Sequence, residues 1–268
     1  MRLRIGLVGC GTIGTQLART LQRDYADRIR ITALHDVDPA HARTLQRRLH
    51  PRPPIVSLSR LVRASQLVIE AASVEAVGPL LRRALPAHRS VFLMSVGGLL
   101  RDSSWKRLLA RSRGKIYVPS GALAGLDGVK ALAVGRLRRL SLTTRKPPRA
   151  LASAPWLQQK RLRLDRLTRA RLLFEGTPQA VVSAFPQNTN VAAALALAGG
   201  AAARTRIRVI ADPSLRVNVH ELEAEGDCGT IRCRIESRPS ANPKTSELAV
   251  RSAIAALDRL FGTVAIGT

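Results

Sequence analysis

Aromatic side chains are scarce in this chain, at 3% of 268 residues. So few rings leave nucleic-acid bases little to stack on. Cysteine is also rare. The three present, Cys10, Cys228 and Cys233, exclude a disulfide framework and fit a reducing compartment. No apolar run is long enough to cross a bilayer, so no membrane partner is expected. Met1-Arg2-Leu3-Arg4 leads straight into a strand-like run. That leaves no room for a cleavable signal and makes the cytoplasm the expected location. Acids are few as well: 18 against 44 Lys plus Arg, for a formal net charge of +26 and a pI near 11.8.

A charge this basic points toward anionic partners. Its distribution points away from specific nucleic-acid binding, because the arginines are spread through nearly every helix-like segment. The densest run, Lys160 to Arg171, reads as a helix face with Leu162, Leu164, Leu167 and Leu172 turned inward. What is plentiful is apolar surface, at 46% of residues, enough for a substantial core and one or two domains.

The first stretch organises the rest. Ile5 to Val8 reads as a buried strand, Ile13 to Leu21 as an amphipathic helix, and between them Gly9, Gly11 and Gly14 keep G-x-G-x-x-G spacing. Such a turn lets a pyrophosphate approach the backbone at the positive end of a helix. Asp36 follows about twenty residues on, after a second strand, where a carboxylate can accept from a ribose diol. Gly9, Gly11, Thr12, Ile13, Gly14 and Asp36 are therefore candidate coenzyme contacts. Asp36 followed by Val37 favours NAD over NADP, since a 2′-phosphate would meet a carboxylate. Arg43 nearby leaves NADP open.

Strands at Ile29–Asp36, Leu67–Ala72, Ser90–Val96 and Lys115–Val118 alternate with helices at Pro39–Leu49, Val74–Leu85 and from Asp102 or Ser103 to Arg113. This alternation predicts a Rossmann-type α/β fold, a doubly wound parallel sheet. Ligands collect beyond the carboxyl ends of such strands. After Ser120 the pattern changes. Leu137–Thr144, Arg206–Ala211, Val217–Glu225 and Thr230–Ser237 read as strands. Thr177–Phe185, Val191–Ala198 and Asn242 to Leu260 read as helices, and Arg149–Leu173 has no clear form. A second, α+β domain with an open sheet follows, whose bare face a second subunit could cover. The expected division is 1–121, 122–241 and 242–268, the last packing back on the first.

Several segments together resemble the L-aspartate dehydrogenase family. They are Gly9–Gly14, Ser95–Gly98, Pro119–Asp127, Thr143–Pro148, Phe174–Gly176, Phe185–Ala193, Asp212-Pro213, Asn218–Glu221 and Asn242–Ser246. The resemblance implies a nicotinamide-dependent, homodimeric enzyme that interconverts L-aspartate with iminoaspartate, or oxaloacetate plus ammonia, for NAD biosynthesis. By position, it implies that His220 is the catalytic histidine and that Ala124 and Asn190 contact the coenzyme. Pro178 departs from the family, which has a small residue there.

The residues themselves allow more than one reading. His220 on a strand is either a partly buried structural histidine or the acid–base group that amine oxidation needs. Asn190 is a helix cap or a ligand contact. Lys146 and Lys244 are candidates for a substrate carboxylate, or else surface charges. No metal is expected: Cys228 and Cys233, five apart on a strand, would point to opposite faces. Two further functions fit: a reductase of another imine or carbonyl, and a basic, non-catalytic Rossmann protein that binds nucleic acid.

Overall fold

A five-stranded, all-parallel sheet and a five-stranded mixed sheet are the frames on which everything else packs. The computed structural model describes residues 2–186, 190–200, 205–238, 246–262, 264 and 266–267. They form two units, Met1–Pro119 with Ala253–Val264, and Ser120–Ser252 with Ala265–Thr268. Among the described residues no helix is long and apolar enough to cross a membrane.

In the first unit β1 (Leu3–Val8), β2 (Ile29–His35), β3 (Leu67–Glu70), β4 (Ser90–Leu93) and β5 (Ile116–Tyr117) lie in the order β2-β1-β3-β4-β5. The order reverses between β1 and β3, the switch point where parallel sheets bind ligands. The helices are α1 (Thr12–Asp24), α2 (Pro39–Arg47), α3 (Leu58–Ala64), α4 (Val74–Ala84), α5 (Gly98–Arg101) and α6 (Trp105–Ala110). Ile5, Leu7, Leu17, Leu34, Ile69 and Phe92 are fully buried between them. α2 starts where Asp38 accepts from the Ala40 N–H at 2.8 Å, with Pro39 in the first turn.

The helix expected from Asp102 or Ser103 to Arg113 is the shorter α6, preceded by the single turn of α5. Asp102 sits extended between them and accepts from the Ser104 N–H at 2.8 Å. α3 escaped the sequence reading because a single helical turn or two carries little periodicity.

The second unit holds α7 (Leu126–Val134), β6 (Leu137–Lys146), α8 (Pro148–Leu151), α9 (Pro155–Gln159), β7 (Arg171–Gly176), α10 (Pro178–Ala184), α11 (Asn190–Ala198), β8 (Thr205–Ala211), β9 (Asn218–Gly226) and β10 (Thr230–Ser237). α12 (Glu247–Phe261) closes the chain. Its residues from Ala253 onward belong to the first unit, where Tyr25 Oη donates to Asp258 Oδ1 at 2.9 Å. The second sheet runs β10-β9-β6-β8-β7, with β6 and β8 parallel and the other pairs antiparallel.

The helix expected over Lys160–Arg171 does not form. Arg161 takes a left-handed φ of 51°, and the Leu162 N–H returns to the Leu157 carbonyl at 2.9 Å, stopping α9. The chain then turns into β7, leaving Leu172 50% exposed while Leu164 is buried. Pro178 is accommodated at the start of α10, which Thr177 caps through its bond from the Ala180 N–H.

One face of this sheet is apolar and covered. Leu140 and Leu142 of β6, Leu222 and Ala224 of β9, and Ile207 and Val209 of β8 join Val129, Val181, Phe185 and Leu195 in one cluster. Three of the scarce rings, Trp156, Phe174 and Phe185, pack together with centroids 5.8–5.9 Å apart. The other face is a lattice of ion pairs. Glu221 holds Arg145 at 3.2 Å and Arg234 at 2.6 Å, and Glu175 holds Arg206 and Arg208 at 3.0 and 3.1 Å.

Candidate active site

The chain leaves β1 at Val8 and turns through Gly9, whose φ of 91° suits glycine. A Cβ on Gly14 would fall on the Gly9 carbonyl oxygen, so helix and turn touch. Over Gly11 there is open space: an added Cβ meets nothing within 4 Å. α1 begins beside it with no side-chain cap and no acid in its first turn. The N–H groups of Thr12, Ile13 and Gly14, ahead of the first helical bond from Thr15 to the Gly11 carbonyl, and the helix dipole make a cradle for an anion.

Asp36 is tied to this turn. Its Oδ2 accepts from the Cys10 N–H at 2.6 Å and its Oδ1 from the Asp38 N–H at 2.8 Å. A carboxylate has further lone pairs for a diol. The donor cradle and this acid fit a nicotinamide dinucleotide. The Cys10 thiol beside them is pushed up to about 12, first by burial and then by Asp36, so it stays protonated.

Glu70 was missed. The sequence reading carried the strand past it to Ala72; β3 ends at Glu70, a buried carboxylate where the strand meets the loops. It accepts from the Ala72 N–H at 2.8 Å, the Ser95 N–H at 2.9 Å and Ser95 Oγ at 2.8 Å. Burial pushes its pKa up, and these donors oppose the rise. Glu70 thus staples together two loops at the ligand end of the sheet. Glu70→Gln sets an amide NH₂ against one of these donors. The expected loss is about 1–3 kcal/mol in urea unfolding, with weaker NADH binding by fluorescence titration.

In the second unit, β9 carries His220 on the covered face with Asn218, Leu222 and Ala224, as the alternation predicts. His220 is 2% exposed and lies opposite Thr144 of β6 and Ile235 of β10. Its Nδ1 is 3.1 Å from Thr144 Oγ1, which fixes the ring and leaves Nε2 for other work. Burial, and then the charge of Lys146, lower its pKa to about 3, so the ring is neutral near pH 7. Lys146 is not the surface charge it could have been. It is 4% exposed, and burial lowers its pKa to about 8. The sequence reading ended this strand at Thr144; β6 runs two residues further and carries Lys146 inside.

Ala124 is exposed in the loop before α7, just ahead of Gly125 with its φ of 81°. Asn190 opens α11. The two segments lie close together, since a Cβ on Gly121 would meet Val191 Cγ1 at 3.6 Å. Lys244, the Asn242-Pro243 start of the last helix and Gln187–Thr189 lie outside the described residues. Cys228 sits in the turn before β10 rather than on the strand. Among the described residues no group of three or more His, Cys, Asp or Glu could hold a metal ion. An open groove of about 1040 Å³, lined by Pro147, Arg149, Leu164, Pro213 and Arg216 among others, includes neither His220 nor Lys146.

A family model described as "Aspartate dehydrogenase, C-terminal" matches residues 127–260, and one described as "Homoserine dehydrogenase, NAD binding domain" matches 9–119. The chain is 41% identical to the L-aspartate dehydrogenase of Methanosarcina barkeri over 271 residues, covering 99% of this chain and 100% of the relative. It is 38% identical to L-aspartate dehydrogenase 3 of Bordetella bronchiseptica, covering 99% and 98%. It shares its fold with the crystal structure of an aspartate dehydrogenase from Thermotoga maritima, with a TM-score of 0.76, 22% identity and full coverage of both chains.

Proposed function

The chain belongs to the L-aspartate dehydrogenase family, and from that premise we propose that it interconverts L-aspartate with iminoaspartate, or oxaloacetate plus ammonia, using a nicotinamide coenzyme. The observation that carries this reading is His220, neutral, buried and anchored at Nδ1 by Thr144, on the same sheet face as Lys146. The first unit holds the coenzyme: the N–H groups at the start of α1 take the pyrophosphate over Gly11, and Asp36 takes a ribose diol. The family resemblance assigns Ala124 and Asn190 to coenzyme contact as well. The coenzyme, when bound, supplies or accepts the hydride.

The protein's task is then proton traffic. Aspartate is an ammonium ion near neutral pH and must lose a proton before its Cα can release hydride. His220 Nε2 accepts that proton and returns one in the reductive direction. His220 also holds a proton of the water that converts imine to oxaloacetate and ammonia. The neutral imidazole suits both steps because Nε2 offers a lone pair that can take a proton and give it back.

Asp36 supports NAD over NADP, because a 2′-phosphate would sit against its charge. The ion-paired outer face of the second sheet supports a homodimer, with that unit in the dimer-forming role. The reducing cysteine usage supports a cytoplasmic enzyme. Its imine product suits a condensation that builds the pyridine ring of NAD. Initial rates with oxaloacetate, ammonium and either NADH or NADPH test the reading. Ammonium-dependent oxidation, faster with NADH at low coenzyme concentration, is expected. No ammonium-dependent turnover from folded, coenzyme-binding protein would remove the reading.

A further inference from the structure

The first unit is polarised along its strands. All five run parallel, so their amino ends share one edge and their carboxyl ends the opposite one. Asp36, Asp38, Glu70 and Glu75 stand at or just past the carboxyl ends, where the Gly9–Gly14 turn lies. The amino edge carries cations instead. Arg2 and Arg4 open β1, Arg28 precedes β2, Arg63 lies in the last turn of α3 ahead of β3, and Arg113 and Lys115 lead into β5. All six are exposed. Backbone bonds set their segments side by side. The Leu3 N–H donates to the Arg28 carbonyl at 2.8 Å, and the Val91 N–H to the Lys115 carbonyl at 2.8 Å. Arg4 Nε donates to the Ala64 carbonyl at 3.3 Å, across the end of α3.

Little opposes this charge. Asp27 lies 3.5 Å from Arg28, Asp24 is held by Arg23 at 2.6 Å, and Asp258 accepts from Tyr25 at 2.9 Å. The ion pairs of this unit take up Arg23, Arg28, Arg82 and Arg101, and among the described residues none reaches Arg2, Arg4, Arg63, Arg113 or Lys115. An edge of like charges costs stability through self-repulsion, and a polyanion removes that cost.

The chemistry of the edge selects among polyanions. Five of the six cations are guanidinium groups, whose planar fork matches phosphate oxygens. None of the aromatic side chains is exposed, so the unstacked bases of a single strand find no platform. No exposed large apolar side chain stands at the strand starts to enter a lipid surface. Gln66 Oε1, Ser90 Oγ and Ser112 Oγ already accept from the Arg4, Lys115 and Gly114 N–H groups at 3.0, 3.1 and 2.9 Å. That leaves little to take the 2′-hydroxyls by which duplex RNA is held. Five strands make the edge about 19 Å wide. This crosses the major groove of B-form DNA, about 12 Å wide, and reaches phosphates on both strands.

We propose that the amino edge of the parallel sheet is a docking surface for double-stranded DNA, gripped by its phosphates without regard to base sequence. The Gly9–Gly14 turn is at the other end of the same strands, so duplex and coenzyme bind together. The surface accounts for part of the +26 charge and is independent of the dehydrogenase reading.

Fluorescence anisotropy of a labelled duplex of about 24 base pairs, titrated with the full chain between about 50 and 200 mM salt, tests this. Six phosphate contacts predict a slope of log K against log salt of about −5. In Arg63→Gln/Arg113→Gln/Lys115→Gln, three contacts go. The slope should become shallower by about 3, and affinity at about 100 mM salt should fall about 100-fold or more. Melting temperature and NADH affinity should hold. Lys160→Gln/Arg166→Gln/Arg169→Gln removes the same charge from the second unit and should weaken binding less than about threefold. The pair Arg63→Gln/Lys115→Gln serves if the triple variant fails to fold, with a slope shallower by about 2. Equal losses in the edge and second-unit variants would overturn the surface, since diffuse charge would then explain the binding. So would tighter binding of a single strand or of duplex RNA at the same salt, or competition between duplex and NADH. Edge-dependent sedimentation with phosphatidylserine vesicles, without binding of the duplex, would overturn it too.

Discussion

Replacing His220 by asparagine is expected to lower kcat by about 10²- to 10⁴-fold, the usual worth of a positioned acid–base group. The dissociation constant for NADH should hardly move, because the proposal gives the coenzyme's phosphates and ribose to the Gly9–Gly14 turn and Asp36. Rapid-mixing kinetics with equilibrium titration separate the two quantities. A matched loss of coenzyme affinity and melting temperature would mean that the imidazole only fills space next to Thr144.

The same residue leaves a mark on stability. Its pKa is about 3 in the fold against roughly 6.5 in an unfolded chain. Between those values the unfolded chain binds a proton that the folded one does not. Stability is then lost as pH falls through this window, at about 1.4 kcal/mol per pH unit for one proton. Above the unfolded value the site adds no slope. His220→Asn should flatten that acid limb in urea titrations.

Gly11→Ala should produce the opposite pattern. The backbone there has a φ of −71°, which alanine adopts readily, and the new methyl meets nothing within 4 Å in the protein. The fold should be unaffected, with an unchanged melting temperature. The methyl would occupy the space where a pyrophosphate must approach the backbone. NADH affinity should fall about 100-fold or more, the order expected when several charge-assisted bonds are pushed out of reach. Gly14→Ala makes the contrast, since its methyl falls on the Gly9 carbonyl and should destabilise the fold itself. If Gly11→Ala binds NADH as wild type does, the phosphates do not lie over this turn.

Much of the first unit was legible because its signals are local. A buried strand, three spaced glycines and an amphipathic helix lie within about twenty residues, and Asp36 follows at a fixed offset. The alternation of β10 gave its half-buried character directly. Glu70 was not legible, since its meaning depends on Ser95, which is brought beside it only when β3 and β4 pair. Lys146 was hidden for a related reason. Thr143 and Thr144 interrupt the apolar alternation of β6, so the strand seemed to end before its most unusual residue. β7 and α7 were lost among arginines and small residues whose pattern is settled by tertiary packing. The basic run after Lys160 shows the reverse error: leucines at nearly helical spacing, overruled by a single left-handed residue at Arg161.

The most direct measurement uses NADH carrying deuterium at both C4 positions, with oxaloacetate and ammonium, and product analysis by NMR. The expected product is L-aspartate with deuterium on Cα, formed only when ammonium is present and hardly at all by His220→Asn. Deuterated malate in place of aspartate, or aspartate without the label, would contradict reduction of the imine by this protein.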